Sequence, residues 1–304
     1  MLFLALAVVA TLAPATLALA TFVQAAQAQE PAGLSAAARQ QAEAGVAAFK
    51  QGHYDAAAVH FQQAVEMAPQ YTAARLYLAT TYAQLYIPGA NTPDNVRNGE
   101  AAIREFKQVV DTDDEQCGCK LQAMKGIASV YFNMKRLDDA AEWYSHVVAA
   151  DPKDAEAYYS MGVIRWTEAY QPRMELRAKI GLKPTEPMPP GPECAQIRAK
   201  NENSVEDGMR VMKKALELRP DYDDAMAYMN LLYRERADYE CDDPQARAAD
   251  LKTADEWVDR TMAVKKAKAE HGDFDVDALS KGSKNGGGGG GGGSRDVPPR
   301  VPKR

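Results

Sequence analysis

The chain has 304 residues, of which 46 % are hydrophobic, 8 % aromatic and 26 % charged, with a formal net charge of −6. That is enough apolar material for a continuous core. The absence of Val, Ile and Thr runs argues against sheets, and the abundance of alanine suits closely approaching helices. Six Lys/Arg against one Asp from Lys281 onward leave −11 on residues 1–280, and so acidic a body lacks the basic face that nucleic-acid phosphates require.

Met1 to Val23 carries no charge and is rich in Leu, Ala and Val; Ala26-Gln27-Ala28 then supplies the small-x-small pattern that signal peptidase reads. Residues 1–28 are therefore expected to be a signal peptide, cut before Gln29, which sends the protein to the periplasm or cell envelope. The alternative is an uncleaved anchor, because a positive n-region is missing and the apolar run is long enough to span a bilayer. Membrane contact is expected only through this segment, and only if it stays uncleaved.

From residue 35 the periodicity is helical and falls into pairs. A helix is predicted over Ser35–Lys50, a turn at Gly52-His53, and a second helix over Tyr54–Met67, closed by Pro69. Arg75, Leu78, Ala79 and Tyr82 mark the next first helix, and Ala102, Phe106 and Val109 its partner. Between them Ile87 to Arg97 reads as an insert, with Pro88, Gly89, Asn91 and Pro93 as loop residues. Cys117-Gly118-Cys119 precedes a third pair whose first helix carries Met124, Ile127, Ala128 and Tyr131. The fourth starts with Tyr158, Met161 and Gly162, then breaks off from about Tyr170 to Asn203. Five prolines between Pro184 and Pro192 predict irregular chain there, with one or two helical turns over Arg173–Ile180. Met226, Met229 and Tyr233 open the fifth, which breaks through Cys241 to Pro244. A last helix runs from Gln245 to about Lys268 over a stripe of Ala254, Trp257 and Val258. Residues 269–304, with Gly286 to Gly293 in one run, read as a disordered basic tail.

Catalytic and metal signatures are missing. His53, His60, His146 and His271 show no zinc spacing, and there is no G-x-S-x-G, C-x-x-C-H or phosphate loop. Carboxylates such as Asp223-Asp224 fall at helix starts, where they complement the dipole. No enzyme activity, cofactor or metal is expected.

One spacing recurs. Ala57, Phe61, Ala64 and Pro69 are repeated by Ala140, Tyr144, Val147 and Pro152 and by Gly208, Met212, Ala215 and Pro220, and Pro152 to Pro220 is two periods of 34 residues. Over residues 35–268 the chain resembles bacterial tetratricopeptide-repeat proteins, whose helix pairs bury their apolar faces only by stacking. The resemblance implies an all-α, right-handed α-solenoid of about five pairs, at about 35–69, 71–114, 118–152, 154–220 and 222–268, with inserts in the second, fourth and fifth. It also implies a non-enzymatic scaffold or adaptor that holds a protein or peptide partner on the concave face of the first helices; the alternative is an envelope-anchored structural or assembly factor. Carrying over the groove-facing positions gives Lys125, Ser129, Phe132, Asn133, Tyr159, Val163, Trp166, Thr167 and Arg234, together with Leu76, Thr80 and Leu231. Phe132 and Trp166 are the expected anchors, unless both pack under the long insert. The carboxylate clamp of chaperone-binding relatives is lacking, since Ala42, Val46, Tyr77, Gln122 and Gly126 stand at its positions.

In such a stack, turns within pairs lie on one edge and turns between pairs on the other. Cys194 and Cys241 fall in the breaks within neighbouring pairs and share an edge, so a disulfide is expected; the alternative is free thiols. Cys117 and Cys119 fall on the opposite edge.

Overall fold

The computed structural model describes residues 34–270 apart from 113, 184 and 185. The expected signal peptide or anchor (1–28) and the glycine-rich tail beyond residue 270 lie outside these residues. Among them ten helices form five antiparallel pairs, and no strand is present: α1 (Ala36–Lys50) with α2 (Tyr54–Met67), α3 (Thr72–Leu85) with α4 (Pro93–Thr112), α5 (Lys120–Asn133) with α6 (Leu137–Ala150), α7 (Ala155–Lys179) with α8 (Pro192–Leu218), and α9 (Asp223–Tyr239) with α10 (Pro244–Glu270). Each helix packs on the one before and the one after. None is long and apolar enough to cross a membrane.

Small residues let the paired helices close up. A Cβ at Gly45 would stand 2.7 Å from the ring of Phe61, which is itself fully buried and stacked on Tyr77. At Gly162 the neighbour is Met212, and between the fourth and fifth pairs Gly208 of α8 lies against Leu232 of α9. Ser35 caps α1 by accepting the Ala38 amide at 3.1 Å, and Asp154 caps α7 by accepting that of Ala157 at 2.9 Å.

Two loops differ from expectation. The insert of the second pair is shorter because Pro93 is not a loop residue: it opens α4, where its missing N–H leaves no bond unmade. What shapes the remaining loop is Asn95, 5 % exposed, whose amide accepts from the Ile87 amide and donates to the carbonyls of Ile87 and Ala90. The break expected from Tyr170 to Asn203 is mostly helix. α7 runs straight through Pro172 to Lys179, and α8 begins at Pro192. Strong helix formers after Pro172 and the burial of Leu176 and Arg177 outweigh the proline's lost hydrogen bond. Among the described residues only 180–183 and 186–191 lie between the two helices, so the fourth pair is a longer hairpin than its neighbours.

That longer hairpin is tied to the fifth pair. Arg177, 1 % exposed, donates from one nitrogen to Asp238 at 2.9 Å and from another to the carbonyls of Lys183 and Glu186. Arg173 stands 2.7 Å from Glu235 and 2.9 Å from Asp238. Asn201 donates to the Ala169 carbonyl across the hairpin. At the tip, Cys194 and Cys241 are joined by a disulfide with their Cα atoms 6.2 Å apart. Both lie on the edge that carries the turns within pairs.

Candidate functional site

First helices touch first helices along the stack: α1 meets α3, α3 meets α5, and α7 meets α9. Second helices make no comparable contacts with one another among the described residues. The first-helix row is therefore the inner, shorter arc, and it forms the concave face. Among the described residues the backbones of α5 and α7 approach each other less closely than those of the other first-helix neighbours, and side chains make the contact between them. The core divides near the same place. One apolar cluster fills the second and third pairs and takes in the fully buried Ile164 of α7, another fills the fourth and fifth, and Phe132 at the end of α5 packs against both.

The carried-over residues divide between this seam and the core. Lys125, Ser129, Phe132 and Asn133 sit on α5 and are partly exposed, as are Tyr159 and Thr167 on α7; Arg234 on α9 is exposed. Lys125 is engaged across the seam, ion-paired with the capping carboxylate of Asp154. Thr167 donates back to the Val163 carbonyl at 2.8 Å. Arg234 bridges to Asp255 of α10 at 2.6 Å. The Lys135 ammonium lies 5.8 Å over the Phe132 ring.

Trp166 and Val163 are corrections, each only 4 % exposed, and Leu76 at 5 % is a third. Trp166 stacks on Tyr170 with centroids 4.8 Å apart and meets Tyr228 edge-on at 5.4 Å. Tyr228 in turn packs against Tyr159, and Tyr159 against Tyr222. This aromatic row seals the α7–α9 contact, and Trp166 is one of its links, not a free anchor. Burial pushes the Tyr159, Tyr222 and Tyr228 hydroxyls well above the usual tyrosine range, so the row stays neutral. Periodicity alone does not separate Phe132 from Trp166, since both stand at first-helix positions; what separates them is how closely the next first helix approaches.

Sequence reasoning missed the charged cluster beneath the hairpin. Glu235, 2 % exposed, has its carboxyl pushed up to about 7, chiefly by burial, with the Arg173 guanidinium opposing. The four side chains sit on α7 and α9 and are paired with one another. The hollow beside them, about 170 Å³ and lined by Pro172, Glu175, Leu176, Lys179, Gln196, Ile197 and Lys200, includes none of the four. The cluster acts as a tie between the fourth and fifth pairs. His60 is a packing residue as well, bonded to Gln41 at 2.7 Å. Among the described residues no group of three or more His, Cys, Asp and Glu is placed to hold a metal ion.

With stacked pairs and a concave row on hand, the comparisons agree. The sequence matches models of the tetratricopeptide repeat over residues 48–85 and again over residues 95–163. The chain carries tetratricopeptide repeats. Among solved structures it is similar to MamA (residue 41 to the end) from Desulfovibrio magneticus RS-1, at 16 % identity and a TM-score of 0.51, covering 78 % of this chain and 99 % of that one. A MamA RS-1 double mutant gives the same identity and TM-score over 98 % of its length. Another MamA crystal structure gives 14 % and 0.50, covering 77 % and 94 %. At such identities the likeness shows the fold alone. No curated protein matches the sequence.

Proposed function

We propose that this tetratricopeptide-repeat chain is a non-enzymatic scaffold that holds a protein or peptide on its concave face at the seam between α5 and α7. The observation that supports this reading is the looser approach of α5 and α7 in the first-helix row, beside partly exposed Ser129, Phe132, Asn133, Tyr159 and Thr167. An extended or helical segment lying along this seam meets an aromatic ring set among hydroxyl and amide groups. This is the mixture of one apolar anchor and a polar surround that interfaces use. The acidic body disfavours nucleic acid as the occupant.

The apolar run and Ala26-Gln27-Ala28 support export, with the partner met in the periplasm or cell envelope. Affinity capture from envelope extracts, identified by mass spectrometry, tests the whole reading. A reproducible protein partner, lost when Ser129→Arg and Asn133→Arg are introduced together, is the expected result. A partner captured equally by that variant moves the site elsewhere. N-terminal sequencing of the mature chain is expected to begin at Gln29; a chain still beginning at Met1 favours the anchored assembly factor.

A further inference from the structure

The two disulfides occupy different situations, and the difference is chemical. Cys194 and Cys241 are buried, at 0 % and 7 % exposure, in the cluster that joins the fourth and fifth pairs, and 47 residues separate them in the chain. Both sulfurs point at the Tyr239 carbonyl at 3.6 Å, and Arg198 covers that carbonyl at 2.7 Å. Attack on this bond requires a thiolate to enter a packed core, and opening it releases a long loop. Cys117 and Cys119 are two residues apart, with Cα atoms at 5.1 Å, in the turn between α4 and α5. So small a ring restrains the unfolded chain very little, so its opening leaves the fold's stability nearly unchanged.

The two sulfurs of this second pair are also unequal. Cys117 is partly exposed, and its amide donates to the Asp114 carboxylate at 3.2 Å, which places a negative charge beside it. Cys119 is 6 % exposed and is the N-cap of α5, its carbonyl accepting the Ala123 amide at 2.9 Å, so its sulfur stands at the positive end of the helix. Gly118 between them has φ +61°, with nothing within 4 Å of a Cβ placed there. The backbone turn that brings the sulfurs together therefore depends on glycine for conformation alone and not for space.

From this we propose that Cys117-Gly118-Cys119 is a thiol–disulfide exchange site, an oxidant for thiols, while Cys194–Cys241 is structural. An incoming thiolate attacks Sγ of Cys117, the more exposed residue of the pair. The Cys117–Cys119 bond breaks and its electron pair leaves on Cys119 Sγ, held as a thiolate at the start of α5. A second thiolate then attacks the incoming sulfur of the mixed disulfide and releases the Cys117 thiolate. Two thiols are oxidised to one disulfide, and the two cysteines gain the two electrons. A pair that closes so small a ring and has one partly exposed member opens more readily than one enclosed in the core.

The test equilibrates the full chain with glutathione couples of decreasing oxidised fraction, quenches in acid, alkylates and maps the peptides. Cys117–Cys119 is expected to open at a glutathione ratio at least tenfold less reducing than Cys194–Cys241, with the helical circular dichroism unchanged at that point. The Cys119→Ser variant is expected to accumulate one glutathione on Cys117. Gly118→Ala, which leaves the packing untouched, is expected to shift the opening to a still less reducing ratio. Opening of both pairs at the same ratio, opening of Cys194–Cys241 first, or free Cys117 and Cys119 in the fully oxidised couple overturns the proposal.

Discussion

Replacing Arg177 with Met keeps the length of the side chain and removes its charge and donors. In the folded chain that guanidinium serves three acceptors at once: the Asp238 carboxylate and the Lys183 and Glu186 carbonyls. Breaking a buried ion pair by deleting one partner costs about 3–5 kcal/mol, because the remaining charge is left uncompensated. Here Arg173 still stands 2.9 Å from Asp238, so that part is reduced. The two carbonyls lose their guanidinium donor, at about 1 kcal/mol or more each where water does not replace it. Arg177→Met is therefore expected to lower stability by about 3 kcal/mol, and Arg177→Lys to recover little, since one ammonium group does not reach all three acceptors. Urea titration followed by tryptophan fluorescence gives the global figure. Hydrogen exchange gives the local one, with faster exchange expected in α9 and the hairpin turn and unchanged exchange in α1 to α4. A loss below about 1 kcal/mol, or uniform exchange along the stack, refutes the idea that this arginine ties the fourth pair to the fifth.

Gly45→Ala forces a methyl group against the buried Phe61 ring and is expected to cost about 1–3 kcal/mol, read from the denaturation midpoint. Trp166→Ala opens a cavity in the aromatic row and is expected to cost about 3–5 kcal/mol of fold stability, so its effect appears in unfolding before it appears in binding. Reduction of Cys194–Cys241, or Cys194→Ser, is expected to lower stability by about 2–4 kcal/mol, with the loss felt first in α9 and α10. The carboxyl of Glu235 is raised to about 7 in the folded chain, chiefly by burial, above its ordinary 4.5. Its contribution is thus fully present below about pH 4.5 and is lost as pH rises through 7. The thermal midpoint is expected to fall between pH 5 and pH 8, and to fall less in Glu235→Gln; an unchanged slope in that variant contradicts the assignment.

The helix pairs were legible because each carries its own period and its own small residues: Gly45 opposite Phe61 and Gly162 opposite Met212 are both visible in the 34-residue spacing. The prolines were not. Pro93 reads as a loop residue and Pro172 falls in the expected break, yet Pro93 opens a helix, where its missing N–H costs nothing, and Pro172 is carried inside one, because burial further along offsets the lost bond. The Arg177–Asp238 tie, 61 residues apart in the chain, leaves no local trace. The groove itself was legible as a set of positions on first helices. Which of them reach solvent depends on spacing between helices, so Phe132 stays partly exposed while Trp166 goes into the core.

The most direct test of the concave seam is calorimetric titration of the captured partner into the wild-type chain and into Phe132→Ala, with circular dichroism as the control for folding. As the proposed anchor at the seam between α5 and α7, Phe132 is expected to carry about 2 kcal/mol, so the variant should bind about thirtyfold more weakly. An unchanged dissociation constant in a fully folded Phe132→Ala chain contradicts the account.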